Sequence, residues 1–224
     1  MLGATKTSLP AMKRLLCSSL LAVLLAVVAN ASFASPASPV AGKDYTVLTT
    51  AQPVDVPGKI VVTEYMWYGC PHCAEFDPYL EAWIKKQGPD VVFERVPVAF
   101  RDDFVPHSRM FHALDQLGLV SKLTPAVFNE INVKKDYLLT PDSQAAFFAT
   151  LGVDKTQYLQ AYNSFATQNG LQRDALLIKN YNINATPTLA VQGKYETGPG
   201  DTESLPGTIQ VLDYLVGSVR AKKM

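Results

Sequence analysis

Cysteine is scarce in this 224-residue chain, which has only Cys17, Cys70 and Cys73. That argues against the disulfide framework that staples many small exported domains, which needs several cysteines at wide spacings. Histidine is equally sparse: His72, His107 and His112 are the full set. A structural zinc site takes about four ligands, and one close cysteine pair with scattered histidines suits it poorly. Haem attachment requires histidine directly after the second cysteine, where Ala74 stands. Charge of one sign is also missing, since 20 basic residues balance 20 acidic ones. Nothing in that balance points to nucleic acid or an anionic membrane as a partner. The long apolar run from Leu15 to Ala29 spans about 15 residues, short of the roughly 20 that cross a bilayer as a helix. There is no internal repeat and no low-complexity tract.

What is present begins with a segment laid out like a secretory signal peptide. Lys6, Lys13 and Arg14 precede the apolar run, and the small residues Ala29-Asn30-Ala31 and Ser32-Phe33-Ala34 follow it. Residues 1–34 are therefore expected to be a cleavable leader, cut after Ala31 or Ala34, with a retained membrane anchor as the alternative. Cys17 is not expected to carry lipid, because Arg14-Leu15-Leu16 before it lacks a small residue. Three basic and no acidic residues leave with the leader, so the remainder carries a net charge near −3. About 190 residues remain, enough for one well-cored domain or a domain with an insertion. In an exported protein, the lone pair Cys70 and Cys73 reads as a working pair.

Along the chain, residues 35–43 form a Pro/Ala/Ser-rich lead-in and residues 45–48 a short edge strand. The β-branched run 60–66 suits a buried central strand. A helix opens at Cys70 and carries to about Gln87, with Cys73, Phe76, Leu80, Trp83 and Ile84 on its apolar stripe and a Glu81–Lys85 pair elsewhere. Pro78 is expected to kink it, with Asp77 as a local cap. A second strand spans 91–98. Helical segments follow near 107–117, 121–133, 141–151, 155–165 and 167–180. Thr140 before Pro141 caps one of them, and Asp154 with Gln157 resembles a capping box. Residues 188–191 and 194–197 form a hairpin, and an amphipathic helix covers about 207–220. The expected architecture is α/β: a mixed sheet built from both ends of the chain (35–103 and 171–224), flanked by helices, with an all-helical insertion at 104–170.

The motif Cys70-Pro71-His72-Cys73 carries the chemistry. Cys70 at the N-cap and Pro71 at the first helical position leave the N–H groups of His72 and Cys73 directed at the Cys70 sulfur. The positive end of the helix dipole and a nearby His72 imidazolium add to this, so the Cys70 thiol should be unusually acidic. Cys73 lies one turn on, within disulfide range. Its place on the apolar stripe makes it the buried, resolving thiol. A structural disulfide is the plain alternative, but one spanning so few residues constrains the chain little.

These residues resemble the thiol:disulfide interchange protein DsbA family of the bacterial periplasm, over roughly residues 43–220. The resemblance is carried by Glu64-Tyr65-Met66-Trp67-Tyr68-Gly69 ahead of the cysteine motif. Asn184-Ala185-Thr186-Pro187-Thr188 followed by Val191-Gln192-Gly193-Lys194-Tyr195 carries the rest. It implies a thioredoxin-like fold, a cis Pro187 facing the cysteine pair, and Thr186 contributing backbone and hydroxyl beside the sulfurs. It also implies that Glu64 is a buried proton relay for Cys73, partnered by Arg95, and that Trp67 and Tyr68 line an apolar peptide groove. A water-facing strand-end carboxylate for Glu64 and ordinary core packing for each aromatic are the alternatives. The resemblance leaves His107 and His112 as ordinary helical residues. No cofactor or metal is implied. The expected function is a monomeric periplasmic dithiol oxidase acting on reduced or unfolded exported proteins. A DsbB-type quinone-linked membrane partner would reoxidise it. A disulfide isomerase or reductase on the same fold, or a redox-inert peptide-binding module, stands as the alternative.

Overall fold

The computed structural model describes residues 38–54 and 56–222. The leader, Cys17 and both expected cleavage bonds lie outside the described residues, and no helix within them is long and apolar enough to cross a membrane.

Strand β2 (Ile60–Met66) is buried at every position, which its run of β-branched and aromatic residues permits. It pairs in parallel with β3 (Val91–Pro97) and antiparallel with β4 (Thr188–Val191). The hairpin partner β5 (Tyr195–Thr197) and the two-residue β1 (Thr46–Val47) complete a five-stranded sheet in the order β1-β5-β4-β2-β3. The mixed sheet expected from the sequence is therefore present.

Helix α1 (Pro71–Ile84) and helix α7 (Leu205–Arg220) cover one face. Phe76 and Leu80 of α1 and Leu212 and Leu215 of α7 pack there on Val62, Leu189 and Val191. Side chains alternate along a strand, so Glu64 shares that face with Val62 and Met66 and lies on the side that α1 covers. Tyr65 points the other way, into a second cluster with Val96, Val98, Tyr181, Ile183 and Ala190.

Five helices lie between β3 and β4 among the described residues: α2 (Val105–Gln116), α3 (Val120–Phe128), α4 (Pro141–Thr150), α5 (Lys155–Tyr162) and α6 (Phe165–Asn180). The expected boundary at 170–171 falls inside α6, which runs unbroken past it. A single π turn, Asn129–Val133, extends α3. Thr140 caps α4 with a reciprocal Ser143 bond, and Asp154 caps α5 through the Gln157 N–H. Three local expectations are corrected. Helix α1, which contains Pro78, ends at Ile84 rather than near Gln87. Asp77 is no cap but a buried partner of Arg95. Glu81 turns to Arg95 rather than to Lys85.

Candidate active site

Strand β2 delivers the chain through Trp67-Tyr68-Gly69 to Cys70, the N-cap of α1, with extended backbone at φ −84° and ψ 116°. Strand β4 runs antiparallel to β2 with Thr188 opposite Tyr65. The two residues before β4, Thr186 and Pro187, thus reach the end of the sheet where α1 begins. The Thr186–Pro187 peptide is cis, and Cys70 Sγ lies 3.3 Å from the Thr186 carbonyl oxygen. The residues of the two sequence signatures therefore meet.

The two thiols, both free in this structure, have opposite characters. The pKa of Cys70 is lowered from 9.0 to about 5. The largest cause is a hydrogen bond donated by the Cys73 thiol; burial opposes it, and the Thr186 side chain and the backbone N–H groups of Cys73 and His72 add to the lowering. Those N–H groups face the sulfur without meeting the strict geometry of a capping bond, as suits a large, soft acceptor. The contact with the Thr186 carbonyl exists only while Cys70 keeps its proton, and the donors outweigh it. Cys73 is fully buried. Burial pushes its pKa well up, helped by its bond to Cys70 and by the charge of Glu64.

Beneath the pair, Arg95 gathers three carboxylates. Its Nε donates to Glu64 at 2.7 Å, its Nη2 to Asp77 at 2.7 Å and its Nη1 to Glu81 at 3.2 Å. Glu64 and Arg95 are paired in register across β2 and β3. Burial is the main reason that the pKa of Glu64 is raised, with Arg95 opposing. Removing a carboxylate from water costs more than one shared guanidinium returns.

The remaining expected residues divide. His72 is largely exposed, its ring 3.5 Å from Glu75, so it acts on Cys70 through its backbone N–H and not as an imidazolium at the sulfur. Tyr68 lines no groove: it is 1% exposed, with its hydroxyl 3.2 Å from the Thr124 hydroxyl. Trp67 is half-buried, stacked on Phe104 and bonded to His107. The two histidines expected to be ordinary are both buried and engaged, His107 with Trp67 and His112 with Asp174 at 2.5 Å. Asn132, which carried no sequence signal, donates to the Tyr68 carbonyl at 2.9 Å and ties the active-site turn to the helical insertion. Asp77 did carry a signal, for it stands four residues after Cys73 and so on the same helical face.

Comparison with known proteins agrees with this geometry. A family model described as Thioredoxin matches residues 57–211. The chain is 55% identical over 214 residues to the thiol:disulfide interchange protein DsbA of Burkholderia cepacia, covering 95% of this chain and all of that one. The chain belongs to the DsbA family. The DsbA of Azotobacter vinelandii is 37% identical over 94% of this chain and 99% of its own. The crystal structure of Pseudomonas aeruginosa DsbA superposes with a TM-score of 0.79 at 38% identity, over 83% of this chain and 96% of that one. Membership in the DsbA family makes the chain a thiol:disulfide oxidoreductase that exchanges disulfides with protein substrates.

Proposed function

We propose that this DsbA-family chain is an exported, periplasmic disulfide donor whose redox centre is Cys70–Cys73. The observation that carries the reading is the asymmetry of the pair: an acidic Cys70, 7% exposed at the N-cap of α1, beside a fully buried Cys73 whose pKa is raised. In the oxidised protein a substrate thiolate attacks Cys70, the Cys70–Cys73 bond breaks, and Cys73 departs with the electron pair and takes up a proton. Glu64, on the sheet face beneath α1, supplies that proton from the cluster it forms with Arg95. A second substrate thiolate then attacks the substrate's own sulfur and expels Cys70. The substrate is oxidised by two electrons and the pair reduced by two.

Direction follows from magnitude. A thiol pKa near 5 in place of 9.0 stabilises the reduced form at pH 7 by about 3 kcal/mol, or about 60 mV for a two-electron couple. That shift favours giving the disulfide away. Thr186 and the cis Pro187 sit where an extended substrate segment would lie against the sulfurs, with Trp67 as an apolar wall. The chain works as a monomer and is reoxidised by a quinone-linked membrane protein of the DsbB type. Export rests on the leader-like residues 1–34.

The test is a glutathione redox titration of the mature protein beside a thiolate absorbance titration. A thiolate edge near pH 5 and an oxidising potential are expected. A thiolate edge near pH 8 with a strongly reducing potential would sink the proposal in favour of a reductase.

A further inference from the structure

We propose that His107 is the positioning residue of the nucleophile turn, fixing the Trp67 indole across Gly69 and thereby holding Cys70 in place from the helical insertion. This rests on the oxidase reading above, which gives His107 no role.

His107 is buried on the first turn of α2. Its Nδ1 lies 2.9 Å from Trp67 Nε1, and an indole N–H only donates, so Nδ1 accepts. Its Nε2 lies 2.7 Å from the Tyr137 carbonyl oxygen, which only accepts, so Nε2 carries the proton. Both ring nitrogens are committed, and the imidazole is neutral in one defined tautomer. Burial acts in the same sense, lowering its pKa. The Tyr137 carbonyl is itself well placed, because its loop holds Lys135 and Leu138 in left-handed conformations at φ 63° and 50°.

The indole in turn governs the turn that carries the nucleophile. Phe104 stacks on it with ring centroids 3.7 Å apart and planes 19° from parallel. A Cβ on Gly69 would stand 2.3 Å from Trp67 Cζ2, so glycine is required where the turn passes the ring before Cys70. The Trp67 carbonyl accepts from the Cys70 N–H at 2.9 Å. Ring, glycine and nucleophile are therefore in direct succession of contact. Stacking fixes the plane of the indole but resists sliding within that plane only weakly. The directional N–H···N bond from Trp67 to His107 supplies that missing constraint. Because Trp67 is half-buried, its placement also sets the wall that a substrate meets beside Cys70.

The experiment measures the second-order rate at which the oxidised mature protein oxidises a reduced two-cysteine peptide, together with the thiolate titration of Cys70. His107→Leu is expected to slow oxidation about fivefold, the size of one buried hydrogen bond, and to displace the thiolate midpoint. His107→Gln offers the indole an amide oxygen and the carbonyl an N–H, and should recover most of the rate. Trp67→Phe keeps the ring and loses the donor, so it should reproduce the loss. The double variant His107→Leu/Trp67→Phe should be no slower than the slower single variant. Losses that multiply in the double variant would overturn the proposal, as would a parent-like rate and midpoint in Trp67→Phe. That second outcome decides the matter even if His107→Leu does not fold. Should the parent itself fail to oxidise the peptide, the oxidase reading fails instead.

Discussion

The Arg95 guanidinium and the Asp77 carboxylate meet at 2.7 Å beneath the active-site helix, Nη2 donating to Oδ1. Glu64 and Glu81 hold the rest of the same guanidinium, so one positive charge faces three carboxylates in a largely buried space. Burial disfavours the charged form of Arg95, but Glu64 and Asp77 more than offset this and its pKa rises. The acids fare differently. Burial dominates at Asp77, and its pKa is raised from 3.8 to about 6. Burial thus works against full ionisation of these carboxyls, which underlies the proton delivery to Cys73 proposed above.

That balance gives Asp77 a stability signature. A carboxyl whose folded pKa is raised stabilises the protein fully below its ordinary value and loses that contribution as pH rises through the folded value. The window for Asp77 runs from about pH 4 to about pH 6. Asp77→Asn keeps an oxygen acceptor for Arg95 and cannot ionise. Relative to the variant, the parent should lose about 3 kcal/mol of unfolding free energy between pH 3.5 and pH 7. Urea unfolding at both pH values checks this, and a difference that stays flat or favours the parent at pH 7 would refute it.

Cys70 titrates with the opposite sign. Its folded pKa is depressed from 9.0 to about 5, so its contribution to the reduced protein is complete above pH 9 and lost as pH falls through 5. Reduced parent and Cys70→Ser, unfolded in urea at pH 7 and pH 4.5, should differ by about 3 kcal/mol less at the lower pH. The reduction potential should fall by about 60 mV per pH unit below pH 5 and by about 30 mV per unit above it. One slope from pH 4 to pH 8 would show that Cys70 is not the acidic thiol.

Glu64→Gln separates two effects of one carboxylate. The charge of Glu64 helps to hold Cys73 as a thiol, so removing it makes Cys73 a slightly better leaving group. On the relay proposed above, losing the acid also removes the proton donor to the departing sulfur, and positioned proton transfer is worth roughly 10²–10⁴ in rate. The second effect is the larger. The amide oxygen of the variant still accepts from Arg95 Nε, so the fold should be kept while peptide oxidation at pH 7 slows by about tenfold or more. A rate equal to the parent's, measured by stopped-flow fluorescence, would remove the relay.

What is legible in the sequence is what depends on near neighbours. The acidity of Cys70 and the burial of Cys73 follow from a four-residue motif opening an amphipathic helix. Strand β2 announces itself by its β-branched run. The Arg95 cluster is only half visible, because it needs both the β2–β3 register and the face of α1 that lies over it. From sequence spacing alone Asp77 looks like a cap, and Glu81 looks like a partner for Lys85. His107 and His112 look ordinary for the same reason: their side-chain partners, Trp67 and Asp174, are 40 and 62 residues away. The chain turns between Trp67 and Cys70, closed by the Cys70 N–H on the Trp67 carbonyl, and only one of the two adjacent aromatics remains near the surface.

The His112–Asp174 pair predicts opposite outcomes for the same substitution in two helices. In an exposed helix interior, glycine to alanine gains about 1 kcal/mol of helix propensity. Gly217 in α7 has nothing within 4 Å of an added Cβ, and Gly217→Ala should show that gain. In α6, a Cβ on Gly170 would come within 2.6 Å of the His112 ring. That ring cannot swing aside freely, because Nε2 is bonded to the buried Asp174 carboxylate. Overpacking costs about 1–3 kcal/mol, and leaving a buried hydrogen-bonding group without its partner costs about 1–3 kcal/mol more, so together they exceed the propensity gain. Gly170→Ala should lower Tm while Gly217→Ala raises it, both followed by circular dichroism at pH 7. Equal stabilisation by the two would mean that the imidazole yields without cost and that the pair does not hold α2 to α6.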